Sequence, residues 1–316
     1  MKRLARHDLT RPDGRRALVY GSLQGGFADA AESPEDVTGI HLRRDVLTSG
    51  WVAITPARNQ RPLDGSPGAD EDEMCPLCPN GKEIPFPYDA AVFENRFPSF
   101  TQDPPPAPLL EGATEVARGR CEMVLYTQRH DASFAGLSAL ELTRVIAVWT
   151  DRTRELWADP AHEYVLTFEN RGAEAGATLT HPHGQIYALG HVPPLVDARI
   201  SAHHAYREEN GDCLGCVVAR RDGDSSRVVS ENASFVVSVP FAARWPYEVA
   251  VHVRRHGVGR LADLEPREQR DLAHALRDVA RVDKAGGLGS AAGDGDERCK
   301  GARNCELSPH GRRAFR

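Results

Sequence analysis

The chain has 316 residues, 41% of them hydrophobic and 27% charged, proportions of a globular protein long enough to bury a large core rather than of a disordered, collagenous or membrane-spanning one. Its formal net charge of −6 supplies no overall positive field for nucleic acid, so a small anionic substrate would need locally placed arginines. The first residues include Lys2, Arg3, Arg6, His7 and Asp8 instead of the apolar run of a signal peptide, and a cytoplasmic protein is expected.

Residues 1–40 are polar, with scattered Gly, Asp and Arg, and read as a loosely attached arm, with regular structure beginning near Trp51. Short runs rich in β-branched and aromatic residues predict strands at 51–55, 91–93, 122–126 and 164–168. Between Leu137 and Trp157, the positions Leu140, Leu142, Val145, Ile146, Val148, Trp149 and Leu156 recur at helical spacing. Strand clusters around one long helix predict an α+β layer.

The second half repeats this order, with strands predicted within 228–239 and 249–253 and a helix over 265–282. In each half a C-x-x-C is followed by a strand, then by a strand running into Arg-His, then by a helix introduced by Leu. The matched points are Arg129-His130 with Leu137, and Arg255-His256 with Leu261. From Asp283 to Arg316, Gly, Asp, Arg and Ala dominate, and a poorly ordered tail is expected. Gly287-Leu-Gly289 lies within that tail without a predicted strand before it or helix after it, so it is set aside as a dinucleotide loop.

Seven cysteines include the pairs Cys75/Cys78 and Cys213/Cys216, while Cys121, Cys299 and Cys305 suggest no role. In a reducing compartment such pairs bind metal, do redox chemistry or remain buried thiols. A thioredoxin-like βαβ context is absent, which favours zinc at Cys75 and Cys78. Two histidines can complete that set: His130, which follows a strand of the same half, and His181. A Cys2His2 site is tetrahedral and closed, so zinc there would be structural and would fix the backbone around His181.

His181 belongs to Thr180-His-Pro-His-Gly-Gln-Ile-Tyr187, where residues i and i+2 of an extended segment face one side. His183 is thereby presented as a nucleophile. A neutral imidazole attacks phosphorus without the anion–anion repulsion a carboxylate would meet, provided its other ring nitrogen donates a hydrogen bond, commonly to a main-chain carbonyl. Gln185, one alternation further, could donate its amide to a phosphoryl oxygen.

The segment His181-Pro-His-Gly-Gln-Ile, with Phe168-Glu-Asn-Arg-Gly and Gly176-Ala-Thr before it, resembles the active-site signature of the galactose-1-phosphate uridylyltransferase family, within the histidine-triad superfamily. Leu47-Thr-Ser-Gly-Trp-Val, Arg58-Asn-Gln-Arg61-Pro, Cys75-Pro-Leu-Cys78, Phe93-Glu-Asn95-Arg96-Phe and Arg244-Trp-Pro-Tyr-Glu extend the resemblance over about residues 44–280. It implies two histidine-triad-like repeats, mostly antiparallel sheet with helices on one side. The first would span 41–198 and carry the zinc and HPHGQ segments; the second, 199–282, would be incomplete at its C-terminal end. It further implies ping-pong exchange of UMP between UDP-glucose and galactose 1-phosphate through His183, by a homodimer in which Arg58 and Arg61 contact the nucleotide of the partner subunit. Asn95, Arg96, Asn170, Gly176, Ala177, Thr178 and Gln185 match the family's substrate contacts.

Family members continue into a Trp-His-x-Ala-Pro-like strand that residues 283–316 do not match. Some also hold iron through a glutamate and three histidines. Arg199 stands where that glutamate would be and only His256 is matched, so no iron site is expected. By repeat symmetry Cys213, Cys216 and His256 could hold another zinc, its fourth ligand lying in the unmatched strand. A related nucleotidyltransferase or hydrolase acting on adenylylated substrates, and a non-catalytic, zinc-stabilised UDP-sugar-binding protein, are the competing readings.

Overall fold

A computed structural model describes residues 4–28, 39–60, 75–172, 175, 177 and 179–285. In chain order its strands are β1 (Arg6–Thr10), β2 (Arg16–Tyr20), β3 (His41–Arg44), β4 (Trp51–Ile54), β5 (Ala90–Glu94), β6 (Thr114–Val116), β7 (Gly119–Leu125), β8 (Tyr164–Phe168), β9 (His183–Leu189), β10 (Val228–Glu231), β11 (Phe235–Ser238) and β12 (Ala250–Val253). The helices are α1 (Ala139–Ala158), α2 (Pro194–Asn210), α3 (Leu214–Gly223) and α4 (Pro266–Ala285). A six-stranded sheet in the order β1-β2-β5-β7-β9-β8 is accompanied by two three-stranded sheets, β10-β11-β12 and β4-β3-β6. Every pairing of named strands is antiparallel, and the fold is α+β as expected.

The large sheet is apolar on both faces. β5 reads Ala-Ala-Val-Phe without polar alternation because Val92 lies in the core under α1 while Ala91 and Phe93 lie in a second core on the opposite face. α1 starts with a capping box in which Ser138 Oγ accepts from Glu141 N at 3.2 Å and Glu141 Oε2 accepts from Ser138 N at 2.8 Å. Its Leu142, Val145, Ile146 and Trp149 share one core with Leu272, Ala273 and Leu276 of α4 and with Phe235, Val237 and Val251 of the second sheet. Within it, Arg152 of α1 donates to both carboxylate oxygens of Glu122 on β7, at 2.7 and 2.8 Å, both side chains being buried.

On the opposite face, Leu77, Ile84, Phe86 and Tyr88 pack over Ala17, Val19, Ala91, Phe93 and Leu125. Burial of these apolar residues anchors the loop that carries Cys75 and Cys78, close to the end of β7 and the start of β9.

Several expectations are corrected. The stretch read as an N-terminal arm supplies β1 and β2 to the large sheet, and regular structure begins well before Trp51. Its charged side chains have partners distant in sequence: Arg6 pairs with Asp151 at 2.9 Å and with Glu155 at 2.6 Å, and Arg16 also meets Glu155. α2 runs across the expected division at 198/199, and the Cys213/Cys216 pair sits at the start of α3, which precedes the next strand. Most of the expected tail, residues 286–316 with Gly287 and Gly289, lies outside the described residues.

Candidate active site

β9 begins at His183, which stands opposite Leu125 of β7. Its Nδ1 lies 2.7 Å from the main-chain oxygen of His181. A carbonyl only accepts, so Nδ1 is the donor, and in the neutral imidazole the lone pair lies on Nε2. Gly184 is required next to it: a Cβ there would fall 1.9 Å from Tyr126 Oη and 3.0 Å from the Phe168 carbonyl oxygen.

Gln185 and Tyr187 follow His183 at the same alternation. The Tyr187 hydroxyl donates to Gln185 Oε1 at 3.2 Å and accepts from an Arg58 guanidinium nitrogen at 3.3 Å. Arg58, in a short 3-10 turn at Pro56–Gln60, also donates to Phe97 O at 3.1 Å and Ser99 Oγ at 3.2 Å. The Phe168 ring packs edge-on against Tyr187 at 5.0 Å, and burial raises the Tyr187 phenol pKa. Tyr187 received no role from the sequence. Its partners lie on other turns and strands, and only the period-two alternation from His183 hinted at its position.

Near the other end of the HPH segment, one donor atom from each of Cys75, Cys78, His130 and His181 lies within 4.8 Å of all the others. Cys78 Sγ is 3.5 Å from Nδ1 of both histidines. With metal–sulfur and metal–nitrogen bonds near 2.3 and 2.0–2.1 Å, a tetrahedral edge is about 3.5 Å, so this donor set fits a zinc-sized cation. The outer nitrogens are held as well. His181 Nε2 donates to Thr127 O at 2.9 Å, and His130 Nε2 lies 3.1 Å from Thr180 Oγ1. Burial lowers the His181 pKa to about 4, keeping it a neutral ligand, and burial pushes the Cys75 thiol up to about 11, so a thiolate there calls for a neighbouring cation.

The cysteine loop is tight. Cys78 N donates to Cys75 O at 3.1 Å and Gly81 N to Cys78 O at 2.8 Å, and a Cβ on Gly81 would lie 2.5–2.8 Å from the carbonyl oxygens of Cys75, Pro76 and Cys78. Tyr88, buried, donates to Leu77 O at 2.8 Å and sits 3.1 Å from His181 Nε2, linking this loop to the HPH segment.

Asn95, just after β5, accepts from Phe97 N at 2.9 Å, and the Arg96 guanidinium lies 5.8 Å from the Phe97 ring centroid. Asn170 follows β8 and is half-buried, and Ala177 N donates to Gly172 O at 3.2 Å. Arg61, Gly176 and Thr178 lie outside the described residues. Just after β8, Glu169 accepts from Arg171 at 2.8 Å, and burial raises its carboxyl pKa against the opposing charge of Arg171. A second group, Cys213, Cys216 and His256, also converges within 4.8 Å.

The N-terminal domain model of galactose-1-phosphate uridyl transferase matches residues 31–193 and its C-terminal domain model matches 198–287. The chain belongs to this family. A galactose-1-phosphate uridylyltransferase of Thermotoga maritima is 39% identical over 78% of the chain and 76% of its own length, and one of Streptomyces lividans is 38% identical over 77% and 65%. The chain therefore spans slightly less than two thirds of the Streptomyces relative. A solved uridylyltransferase structure superposes with a TM-score of 0.67 at 30% identity, covering 75% of this chain and 73% of that one. In this chain the HPH segment, the cysteine loop and the Arg58 turn all come from the half matched by the N-terminal model. Among the described residues no helix is long and apolar enough to cross a membrane.

Proposed function

We propose that the chain exchanges UMP between UDP-glucose and galactose 1-phosphate through a covalent uridylyl-His183. The observation that carries this reading is the 2.7 Å contact from His183 Nδ1 to the His181 carbonyl, which assigns the proton of the neutral ring to Nδ1 and the lone pair to Nε2. In the first half-reaction, the Nε2 lone pair attacks the α-phosphorus of UDP-glucose, a P–N bond forms, and the P–O bond to the β-phosphate breaks to release glucose 1-phosphate. In the second, a phosphate oxygen of galactose 1-phosphate attacks the same phosphorus, the P–N bond breaks and its electron pair returns to Nε2, giving UDP-galactose.

Gln185, held by Tyr187 at its oxygen, turns its amide N–H groups toward the phosphoryl oxygens, where negative charge builds in both transition states. Arg58 and Arg61 supply the cationic forks a net-acidic chain needs for a diphosphate, and Asn95, Arg96, Asn170, Gly176, Ala177 and Thr178 complete the nucleotide cradle. Cys75, Cys78, His130 and His181 would hold Zn2+ as a structural ion, and His181 presents the carbonyl that accepts the hydrogen bond from His183 Nδ1. The chain works in a reducing cytoplasm, where cysteine pairs hold metal, and the assembly is a homodimer in this reading.

The test is incubation with UDP-glucose radiolabelled at the α-phosphorus. Label remains on the wild-type protein and is discharged by galactose 1-phosphate. No label on wild type, or label persisting in His183→Ala, contradicts the role.

A further inference from the structure

We propose that Arg15, in the turn between β1 and β2, is a positioning residue that holds the segment from Asn95 to Phe97 in place for the nucleotide; the assignment rests on the transferase reading for its substrate. β1 and β2 lie before residue 31, where the family match begins. Their turn, Arg11-Pro-Asp-Gly-Arg15, is closed by Gly14 N donating to Arg11 O and Arg11 N to Arg15 O, both at 2.9 Å, and it uses a positive φ of 83° at Gly14. Arg15 is thereby set at the head of β2, beside the end of β5.

Every guanidinium nitrogen of Arg15 is engaged. Nε and Nη2 donate to Asp13 Oδ2 at 2.8 and 2.6 Å, Nη2 also reaches Glu83 Oε2 at 2.9 Å, and Nη1 donates to the main-chain oxygen of Glu94 at 2.8 Å. Glu94 is the last residue of β5, where the ladder with β2 stops. Arg16 N turns to the Glu94 carboxylate at 3.0 Å, and the Glu94 carbonyl is taken by Arg15. From the opposite flank, Asn95 N donates to Cys121 O of β7 at 2.8 Å, so the exit from β5 is pinned on both sides immediately before Asn95. Beyond it, Asn95 Oδ1 accepts from Phe97 N, and Phe97 O accepts from Arg58. The segment thus runs between one arginine at its start and another at its end.

Glu83 makes the second connection. It belongs to the loop after Cys78, its N donating to Pro76 O at 2.9 Å, and its buried carboxylate lies 3.2 Å from Arg11 and 4.0 Å from Arg96. Through one planar fork Arg15 therefore bridges the cysteine loop to the residue that precedes Asn95. Arg11, which also donates to the main-chain oxygens of Lys82 and Glu83, keeps the Glu83 carboxylate paired when Arg15 is replaced. An arginine that served only to neutralise Asp13 and Glu83 would need no third arm. The bond to Glu94 O is what directs the hairpin toward the nucleotide segment.

The experiment compares the full-length wild type with Arg15→Lys, Arg15→Gln and, as a control on the same hairpin, Arg16→Gln, whose side chain meets Asp8 and Glu155 instead. Lysine keeps a cation between Asp13 and Glu83 but lacks the fork that also reaches Glu94 O. Both Arg15 variants should raise KM for UDP-glucose about tenfold at nearly constant kcat, the loss of one charge-assisted hydrogen bond being felt in binding. Amide hydrogen exchange of the nucleotide-free chain should quicken over residues 94–99 in the same two variants, and Arg16→Gln should change neither measurement. An unchanged KM in Arg15→Lys, with wild type taking label from UDP-glucose, overturns the proposal and leaves the transferase reading standing. If wild type takes no label, that reading fails and the exchange comparison decides alone: faster exchange confined to the Arg15 variants supports the positioning role, and equal exchange overturns it. Should Arg15→Gln fail to fold, Arg15→Lys carries the same measurements.

Discussion

The hydroxyl of Tyr126 occupies the space where residue 184 would carry a side chain. A methyl carbon at that point would lie 1.9 Å from the oxygen and 2.9 Å from the ring carbon that bears it. Gly184→Ala must therefore displace β7 or β9 next to His183. The expected cost is about 1–3 kcal/mol in stability, measured by denaturant titration, with a fall in kcat. Tyr126→Phe on top of it should recover part of the loss only, since the ring carbon remains too close.

Tyr187→Phe removes the donor that holds Gln185 Oε1 and the acceptor for Arg58, and leaves the ring in place. With a net hydrogen bond contributing about 1 kcal/mol, kcat should fall about fivefold while KM for UDP-glucose stays nearly constant. An equal loss in Gln185→Ala and in the double variant would place both on one path. Additive losses in steady-state kinetics would separate them.

Partial burial pushes the Glu155 carboxyl up, but hydrogen bonds from Arg16 and Arg6 and the charge of Arg152 outweigh it and hold the pKa at about 2, below the ordinary 4.5. A folded-state value below the unfolded one gives stability that is complete above about pH 4.5 and disappears as the pH falls toward 2. The melting-temperature difference between wild type and Glu155→Gln should shrink across that window. A difference independent of pH would contradict the assignment.

Arg152→Met leaves Glu122 buried without its partner and should cost about 3–5 kcal/mol in chemical denaturation. Replacing Glu122 with Met as well should recover most of that loss, because two apolar side chains avoid desolvating both charges.

The elements most legible in the sequence are those whose burial has one simple period. α1 and α4 show a helical stripe, and β5 and β8 are short runs that include β-branched and aromatic residues. β1 was not legible, since Arg6 and Asp8 look solvated until Asp151 and Glu155 of α1 are brought beside Arg6. α2 buries only Val196 and so presents no apolar stripe to read. In the site, the two histidines of the HPH segment and both cysteine pairs were legible because their spacing is short. The tethering of Arg58 to Tyr187 joins positions 129 residues apart, which no local pattern encodes.

The shared hydrocarbon interior beneath α1 has a practical consequence for dissecting this molecule. Leu142, Ile146 and Trp149 from one half meet Leu272 and Leu276 from the other. A gene fragment stopping near residue 193 would carry a greasy flank into water, and its complement would do likewise. Expressed alone, each piece should clump, whereas the intact chain should melt as a single unit.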